Sequence, residues 1–328
     1  MTDAPGYVEL HRRGELARRA AELERLLDPC RLCPRLCGAR RGHGELGVCG
    51  VGAKAQVARA CRHRGEEPPL SGTAGAGTIF FGGCNLGCVY CQNHQISHLG
   101  AGDPTTAEAL AEMMLDLQRR RCHNLELVTP SHVVPQIVAA LELAAGRGLR
   151  LPVVYNTSAY ERRTVVQALE GVVDVYLPDL KYGRDDIATA LSGAPGYVAR
   201  SRAATLEMAR QVGTLQLNAA GLARRGLIVR HLVLPGDRSS TSEVLGFVAR
   251  ELGPRTRVSL MAQYRPPPGL DLPEPLTRPL YREEYEHAVA LLEELGLDEG
   301  WVQDLESVDS YVPDFDHPLH PFEGDGAI

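Results

Sequence analysis

Residues 78–93 read TIFFGGCNLGCVYCQN, a short apolar run that leads directly into Cys84, Cys88 and Cys91. Three thiolates on one tight loop make a three-ligand metal site, and soft ligands of this kind suit an iron–sulfur cluster. A cluster held by only three cysteines leaves one iron open for chemistry. The glycines of the same stretch suit a loop that wraps closely around such a group, because glycine accepts backbone conformations that other residues avoid.

A structural zinc site is the alternative reading of these three cysteines. Structural zinc usually completes a four-ligand shell with a further cysteine or histidine close by. His94 is the nearest candidate for that fourth ligand in the sequence. The spacing therefore favours an open iron–sulfur site over zinc.

The cysteine spacing x3 then x2, with Tyr90 immediately before the last cysteine, resembles the radical S-adenosylmethionine (SAM) superfamily. The flanking residues 71–81 and 91–97 are more specifically similar to the uncharacterised relatives of pyruvate formate-lyase activating enzyme. The resemblance covers residues 71–270 and implies a 4Fe-4S cluster that binds SAM. It further implies reductive cleavage of SAM to a 5′-deoxyadenosyl radical, which removes a hydrogen atom from a substrate.

Short apolar strand patterns alternate with amphipathic helix patterns after the cysteine loop, which predicts a parallel sheet with right-handed crossovers. Six such units are too few for a closed eight-stranded barrel, so an open barrel or a doubly wound sheet follows from the pattern alone. The resemblance favours a partial (β/α)6 TIM-like barrel of α/β class. The predicted strands are 78–83, 124–130, 152–158, 172–181, 226–235 and 257–264. The predicted helices are 9–27, 103–121, 132–145, 159–170, 200–220, 241–252 and 282–295.

Asp179 and Lys181 stand at the end of the fourth predicted strand, where two-residue spacing puts both side chains on one face. Lys181 is one of only two lysines, against 33 arginines, which favours a special role for it over a surface ion pair. Residues 179–181 also match an Asp-Leu-Lys motif of the activating enzymes, and in those enzymes the motif lines the SAM site. The resemblance therefore implies that Asp179 and Lys181 are catalytic and bind the cofactor.

Further cofactor contacts are expected on the cysteine loop and at the strand ends, because the chemistry of such barrels lies at the carboxyl ends of their strands. His132, after the second strand, is either a further ligand or an N-terminal residue of the next helix with no ligand role. In the fifth strand either Arg230 or His231, but not both, faces the barrel interior. The expected contacts are Tyr90, Thr129, Ser131, Asn156, Ser158, Arg230 and Gln263.

Four more cysteines lie on a loop punctuated by glycine and proline: Cys30, Cys33, Cys37 and Cys49. Their spacing predicts a second metal site, for which zinc and an iron–sulfur centre fit equally well on ligand chemistry. Similar cysteine-rich text occurs in the uncharacterised relatives and is absent from the smallest activating enzymes.

Composition divides the chain into three parts. Residues 1–75 form an N-terminal helix and cysteine-rich extension, 76–270 the partial barrel, and 271–328 a segment with 2 basic and 16 acidic residues. This acidic segment is interpreted as a solvated face, with docking to a basic partner or to the chain's own basic part as the alternative.

Clustered cysteines without a signal-peptide core or a long apolar run predict a cytoplasmic protein with no membrane contact. Scattered basic residues argue against nucleic-acid binding.

The sequence leaves the substrate open among a glycyl-radical enzyme, another protein or peptide, and a small molecule. A one-electron reductant such as flavodoxin or ferredoxin is expected as a partner. A function of a different class is also open, namely a non-catalytic iron–sulfur electron carrier. That alternative assigns no role to Asp179 and Lys181.

Overall fold

The computed structural model describes residues 4–305, 313–317 and 320–322. Within these residues, ten strands form one sheet. The strands are β1 (Ala55–His63), β2 (Ala76–Phe81), β3 (Asp103–Thr105), β4 (Leu125–Val128), β5 (Val153–Thr157), β6 (Val175–Pro178), β7 (Gln216–Leu217), β8 (Ala223–Leu232), β9 (Arg257–Met261) and β10 (Trp301–Val302).

Eleven α-helices accompany the sheet in the same described residues. They are α1 (Gly6–Arg12), α2 (Glu15–Glu24), α3 (Pro68–Ser71), α4 (His94–Ser97), α5 (Ala107–Arg119), α6 (Val134–Gly146), α7 (Arg163–Ala168), α8 (Asp185–Ser192), α9 (Tyr197–Val212), α10 (Thr241–Phe247) and α11 (Arg282–Glu294). No helix in the described ranges is long and apolar enough to cross a membrane.

The strand order is β10-β9-β8-β6-β5-β4-β2-β1-β3, with β7 paired to β8. The strands β2, β4, β5, β6, β8 and β9 each run parallel to their neighbours in this series. These are the six strands that the sequence predicted, and the partial (β/α)6 barrel is confirmed.

The N-terminal extension adds a strand that the sequence did not predict. β1 pairs antiparallel with β2, and β3 pairs antiparallel with β1, so the sheet is not parallel throughout. Arginines at 59 and 62 interrupt the apolar pattern of β1, which is why it does not stand out as a strand. The extension is therefore part of the sheet and lies directly beside the strand that leads into the cysteine loop.

Alternate residues along the parallel strands face two different environments, as the two-residue period of a strand requires. Ile79, Leu127 and Val229 belong to the main apolar core, which they share with the flanking helices. The intervening positions face the barrel interior. At the carboxyl ends of the strands these inward positions become the walls of a cavity.

Several predicted helices differ in their bounds from those in the structure. The predicted helix 9–27 is two helices, because Gly14 adopts a left-handed conformation with φ of 68° between α1 and α2. The predicted helix 200–220 is shifted, since α9 ends at Gly213 (φ 69°) and the chain then forms the β7–β8 hairpin. The predicted helix 103–121 begins later, because residues 103–105 form β3. α5 then starts after Thr106, whose side chain accepts a hydrogen bond from the Ala109 amide at 3.2 Å.

Candidate active site

The cysteine loop follows β2 without a spacer. Gly83 has φ of 75°, and a Cβ at this position would lie 2.3 Å from the carbonyl oxygen of Cys49. Only glycine fits this turn, so the N-terminal extension touches the loop just before its first cysteine. Cys84, Cys88 and Cys91 then line one cavity of about 190 Å³ at the carboxyl ends of the strands.

Each of the three sulfurs accepts a hydrogen bond. The Leu86 amide donates to Cys84 Sγ at 3.3 Å, and the Ser192 hydroxyl donates to Cys88 Sγ at 3.1 Å. The Ser97 hydroxyl donates to Cys91 Sγ at 3.2 Å. Such bonds stabilise thiolates and tune the potential of an iron–sulfur cluster.

The electrostatics of the three cysteines also fit a cluster. Burial, together with the neighbouring cysteines, raises the pKa of Cys84 and raises that of Cys91 to about 12. Thiolates this deeply buried and this close together need a cation between them, which a metal cluster supplies. Among the described residues, no group of three or more His, Cys, Asp or Glu side chains could hold a single metal ion as placed. The three thiols around one cavity therefore suit an iron–sulfur cluster.

The Asp179 and Lys181 side chains form an ion pair of 2.6 Å in the wall of the same cavity. Burial alone would lower the pKa of Lys181, but the Asp179 carboxylate raises it above its ordinary value, so the ammonium stays charged. Asp179 Oδ1 and the Ser158 hydroxyl are buried without a hydrogen-bond partner among the described residues. Unpartnered polar atoms in a cavity wall indicate a place where a ligand binds.

Tyr90 and Thr129 also line the cavity. The Tyr90 ring is 4% exposed and packs edge-on against Tyr182 and Tyr264, with ring centroids 6.4 and 6.0 Å away. Thr129 has φ of 58°, which is uncommon for a residue other than glycine and is typical of functional sites. The end of β4 is therefore strained where it meets the cavity.

Arg230, Asn156 and Gln263 reach the cavity, yet their polar groups already have protein partners. The Arg230 guanidinium pairs with Glu66 and, at 2.7 Å, with Glu67. The Asn156 amide donates to Glu126 Oε1 at 2.8 Å. Gln263 accepts a hydrogen bond from Gln303 at 3.3 Å. These residues shape the cavity through a polar layer across the barrel interior.

The three glutamates of this layer were missed from the sequence. Burial raises the pKa of Glu126 well above its usual range. Burial would also raise the pKa of Glu67, but the Arg230 guanidinium outweighs it and lowers that pKa. Arg230 faces inward from a strand, and a buried arginine requires a counter-charge, so the sequence did indicate that a carboxylate lies nearby. The sequence could not say that the counter-charge comes from residues more than 160 positions away.

The prediction that Ser131 contacts the cofactor is not supported. Its hydroxyl is buried, bonds to Glu161 and lies 3.2 Å from the Thr157 hydroxyl, so it does not line the cavity. His132 Nε2 instead bonds to the Gly82 carbonyl at 2.8 Å. Of the two candidates in β8, Arg230 faces the interior, while His231 bonds to the Leu180 carbonyl at 2.7 Å.

The four N-terminal cysteines are brought together by the fold. Burial raises the pKa of Cys33 to about 12 and also raises that of Cys49. Burial alone would raise the pKa of Cys37, but hydrogen bonds from the Ala39 and Val48 amides and from Cys30 lower it. All four are free thiols, and they fall under the same finding that no described group could hold a single metal ion as placed.

Comparison with known proteins identifies the class to which this site belongs. Residues 78–236 match the family model of the Radical SAM superfamily. Residues 78–236 thus resemble a radical SAM domain, and this match supports an enzymatic function. The matched family implies a 4Fe-4S cluster and SAM as cofactors. The alternative of a non-catalytic electron carrier is therefore set aside.

Individual relatives are more distant. An uncharacterized protein of Methanocaldococcus jannaschii is 28% identical over 275 residues, which cover 82% of this chain and 75% of that protein. Among solved structures, a radical SAM methyltransferase from Sphaerobacter thermophilus has a TM-score of 0.49 and 14% identity, covering 75% of this chain and 69% of that chain. Methylornithine synthase (PylB) has a TM-score of 0.43 and 16% identity, covering 67% of this chain and 60% of that chain.

Proposed function

We propose that Cys84, Cys88 and Cys91 hold the 4Fe-4S cluster, that SAM binds in the same cavity beside Asp179 and Lys181, and that the substrate is a protein or peptide such as a glycyl-radical enzyme. The observation that carries the site assignment is a single cavity lined by the three sulfurs, the buried ion pair and two unpartnered polar atoms. When bound and reduced by one electron, the cluster and SAM supply methionine and the 5′-deoxyadenosyl radical, which removes a hydrogen atom from the substrate.

Asp179 and Lys181 have complementary tasks in this proposal. One oxygen of Asp179 accepts from Lys181, which leaves Oδ1 to accept from the amino group of SAM or to face its sulfonium. The Lys181 ammonium has three donors, and those not used by Asp179 can meet the SAM carboxylate. Because its pKa is raised, Lys181 keeps its charge throughout the physiological range. The pair therefore orients both charged ends of the cofactor.

The remaining wall of the cavity excludes water. Tyr90, Leu86, Leu232, Met261 and Tyr264 place apolar surface around the cysteines. Apolar surface around the cysteines would limit side reactions of a reactive intermediate with solvent.

A protein or peptide substrate is suggested by the resemblance of residues 71–270 to the activating enzymes. Asn156, Gln263 and Tyr264 depart from the text of those enzymes, so the exact substrate differs from theirs in this proposal. The electron is proposed to come from a flavodoxin or ferredoxin. The predicted cytoplasmic location stays a prediction.

Isotope transfer tests the substrate class. An extract of the source organism grown on deuterated amino acids is separated by ultrafiltration into a protein fraction and a small-molecule fraction. Each fraction is incubated with the reduced enzyme and SAM, and deuterium in 5′-deoxyadenosine is measured by mass spectrometry. Transfer from the protein fraction alone is expected. Transfer from the small-molecule fraction alone would overturn the protein-substrate proposal while leaving the radical chemistry intact.

We also propose that Cys30, Cys33, Cys37 and Cys49 bind a second metal, either zinc or an iron–sulfur centre. In support, the sulfurs of Cys49 and Cys37 flank the same glycine, 3.1 and 3.6 Å from the position that a Cβ on Gly47 would take. Metal analysis of the anaerobically purified protein should find iron or zinc beyond one 4Fe-4S cluster. Cys33→Ser should lose this excess and Cys122→Ala should keep it. An equal metal content in all three proteins would refute the second site.

A further inference from the structure

Arg35 lies on the four-cysteine loop, fifty residues before the active-site cysteines in sequence, but its guanidinium bonds to the cluster loop. Nε donates to the Asn85 carbonyl at 2.8 Å, and Nη2 donates to the Leu86 carbonyl at 2.8 Å. Nη2 also donates to the Ser192 carbonyl at 2.8 Å, and Nη1 donates to the Gly193 carbonyl. One side chain thus joins three separate segments of the chain.

The four carbonyls belong to the two segments that set the positions of Cys84 and Cys88. Asn85 and Leu86 lie between these cysteines, and the Leu86 amide donates to Cys84 Sγ. Ser192 is the last residue of α8, and its hydroxyl donates to Cys88 Sγ at 3.1 Å. Arg35 therefore fixes Leu86 and Ser192, the two residues that donate hydrogen bonds to the sulfurs of Cys84 and Cys88.

Tyr160 fixes the guanidinium from another side. The Arg35 Cζ atom lies 5.5 Å from the centroid of the Tyr160 ring, within the range of a cation–π contact. The Tyr160 carbonyl accepts a hydrogen bond from the Asn85 side chain at 2.8 Å, so the same residue also ties down the cluster loop. A planar guanidinium held in this way is preorganised in a manner that a lysine could not reproduce.

A second contact joins the same two loops. The Cys84 amide donates to the Cys49 carbonyl at 3.3 Å. The four-cysteine loop therefore hydrogen-bonds to the cluster loop at two places, at Cys84 and between Cys84 and Cys88. Arg35 itself lies between Cys33 and Cys37 in the sequence. The position of Arg35 depends on how the N-terminal cysteines are arranged.

The charge of Arg35 has a direct electrostatic consequence. Within the described residues no carboxylate pairs with it, and all four of its acceptors are neutral carbonyls. Reduction adds a negative charge to an iron–sulfur cluster, and a nearby unneutralised cation stabilises that charge. Removing the cation should make the cluster harder to reduce.

We infer that Arg35 is a positioning residue for the active-site cluster, which orders the loop between Cys84 and Cys88 and raises the cluster's reduction potential from outside the SAM cavity. This inference rests on the proposed cluster at Cys84, Cys88 and Cys91. It makes the N-terminal four-cysteine loop a functional support of the radical centre, whether or not that loop itself binds a metal.

The test compares Arg35→Met and Arg35→Lys with Arg31→Met, a matched variant of an exposed arginine on the same loop. Each full-length protein is reconstituted anaerobically. The midpoint potential is obtained by redox titration followed by electron paramagnetic resonance, and the rate of iron loss to a chelator is measured separately. Replacing groups that orient metal ligands typically weakens metal binding about 10- to 100-fold.

Arg35→Met should therefore shift the midpoint potential to a lower value and speed iron loss roughly tenfold or more. Arg35→Lys should keep the potential close to that of the unmodified protein, because the charge remains, but it should still lose iron faster. Arg31→Met should match the unmodified protein in both measurements.

Two results would overturn the inference. One is an unchanged potential and iron-loss rate in Arg35→Met; the other is an equal fall in potential in Arg35→Lys and Arg35→Met. If Arg35→Met does not fold, Arg35→Lys with an unchanged iron-loss rate would also refute it. Failure of the unmodified protein to assemble any cluster would refute the proposed function instead, so the two failures are distinguishable.

Discussion

Lys181 and Asp179 form an ion pair in which each side chain is only 18% exposed. Removing two charges from water costs about as much as their attraction returns, so such a pair contributes little net stability. Its position in the cavity wall is better explained by the unpartnered Oδ1 of Asp179, which faces a place where a cationic ligand group would be bound. The pair is therefore a sensitive point for testing cofactor binding.

Replacing Asp179 by asparagine should weaken SAM binding while leaving the cluster in place. A hydrogen bond to a charged group contributes about 1.5–3 kcal/mol, which corresponds to a loss of affinity of roughly 10- to 100-fold. Binding is measured by titration of SAM into the reconstituted protein, and iron content is measured in parallel. Asp186→Asn, at an exposed position paired with Arg184, is the control. Wild-type affinity in Asp179→Asn would show that the carboxylate does not contact SAM.

Two buried histidines predict how stability depends on pH. Burial lowers the pKa of His132 and of His231 to about 4, from an ordinary value of about 6.5. Both are neutral in the folded protein, so their contribution to stability is fully present above pH of about 6.5. It is lost as the pH falls from there toward 4, because the unfolded chain takes up the protons first.

Chemical unfolding of the unmodified protein and of His132→Gln at several pH values between 7.5 and 4.5 checks this. Buried carboxyl groups such as Glu161 and Asp174, whose pKa burial raises, act in the opposite direction in both proteins and cancel in the comparison. The free energy of unfolding should fall less steeply with decreasing pH in the variant. Parallel slopes would mean that His132 titrates normally in the folded state.

At the level of elements, Phe315 and Phe322, near the end of the C-terminal segment, pack on the first strands of the sheet. Phe315 and Phe322 contact Phe80 of β2, with ring centroids 5.2 and 5.8 Å away. Phe322 also stacks on His63 at 4.0 Å, and Gln95 of α4 bonds to the Asp316 side chain at 2.9 Å. From the sequence, this segment is interpreted as a solvated acidic face, with docking to a basic partner or to the chain's own basic part as the alternative. In the structure, α11 packs on the main core, β10 pairs with β9, and Phe315 and Phe322 pack on Phe80. Residues 306–312, 318–319 and 323–328 lie outside the described part.

Replacing Phe315 and Phe322 together by alanine should release this segment. Each phenylalanine truncated in a core costs about 3–5 kcal/mol, and rings at the rim of a core lose less. The double variant should have a lower melting temperature and faster proteolytic cleavage near the C-terminus than a Leu99→Ala control, which changes an exposed apolar residue. Equal cleavage rates would show that the rings do not hold the segment in place.

For the molecule as a whole, the sequence predicted what depends on local pattern. The six parallel strands follow from short apolar runs, and Asp179, Lys181 and Ser158 reach the cavity because each lies at an inward position near a strand end. β1 was missed because its arginines interrupt the apolar pattern. The helix 200–220 was misplaced because the turn at Gly213 carries no signal strong enough to end a long amphipathic run.

Long-range partners could not be predicted, because no local pattern encodes them. Arg230 pairs with Glu66 and Glu67, which follow β1 in the chain. The Ser131 hydroxyl donates a hydrogen bond to Glu161, thirty residues later. Ser192 reaches Cys88 from a helix that the sequence did not predict. The role of Arg35 belongs to the same class, since its acceptors lie up to 158 residues away. The resemblance to a known family predicted the cofactors, whereas the long-range partners of the site residues became visible only in the folded structure.

The most direct test of the radical SAM assignment is the formation of 5′-deoxyadenosine by the anaerobically reconstituted protein. Iron and sulfide are counted first, then SAM and a one-electron reductant are added and the product is measured by chromatography and mass spectrometry. The protein should produce 5′-deoxyadenosine, and a Cys84→Ala, Cys88→Ala, Cys91→Ala variant should produce none. A cluster that is reduced normally but leaves SAM intact would contradict the assignment and favour an electron carrier.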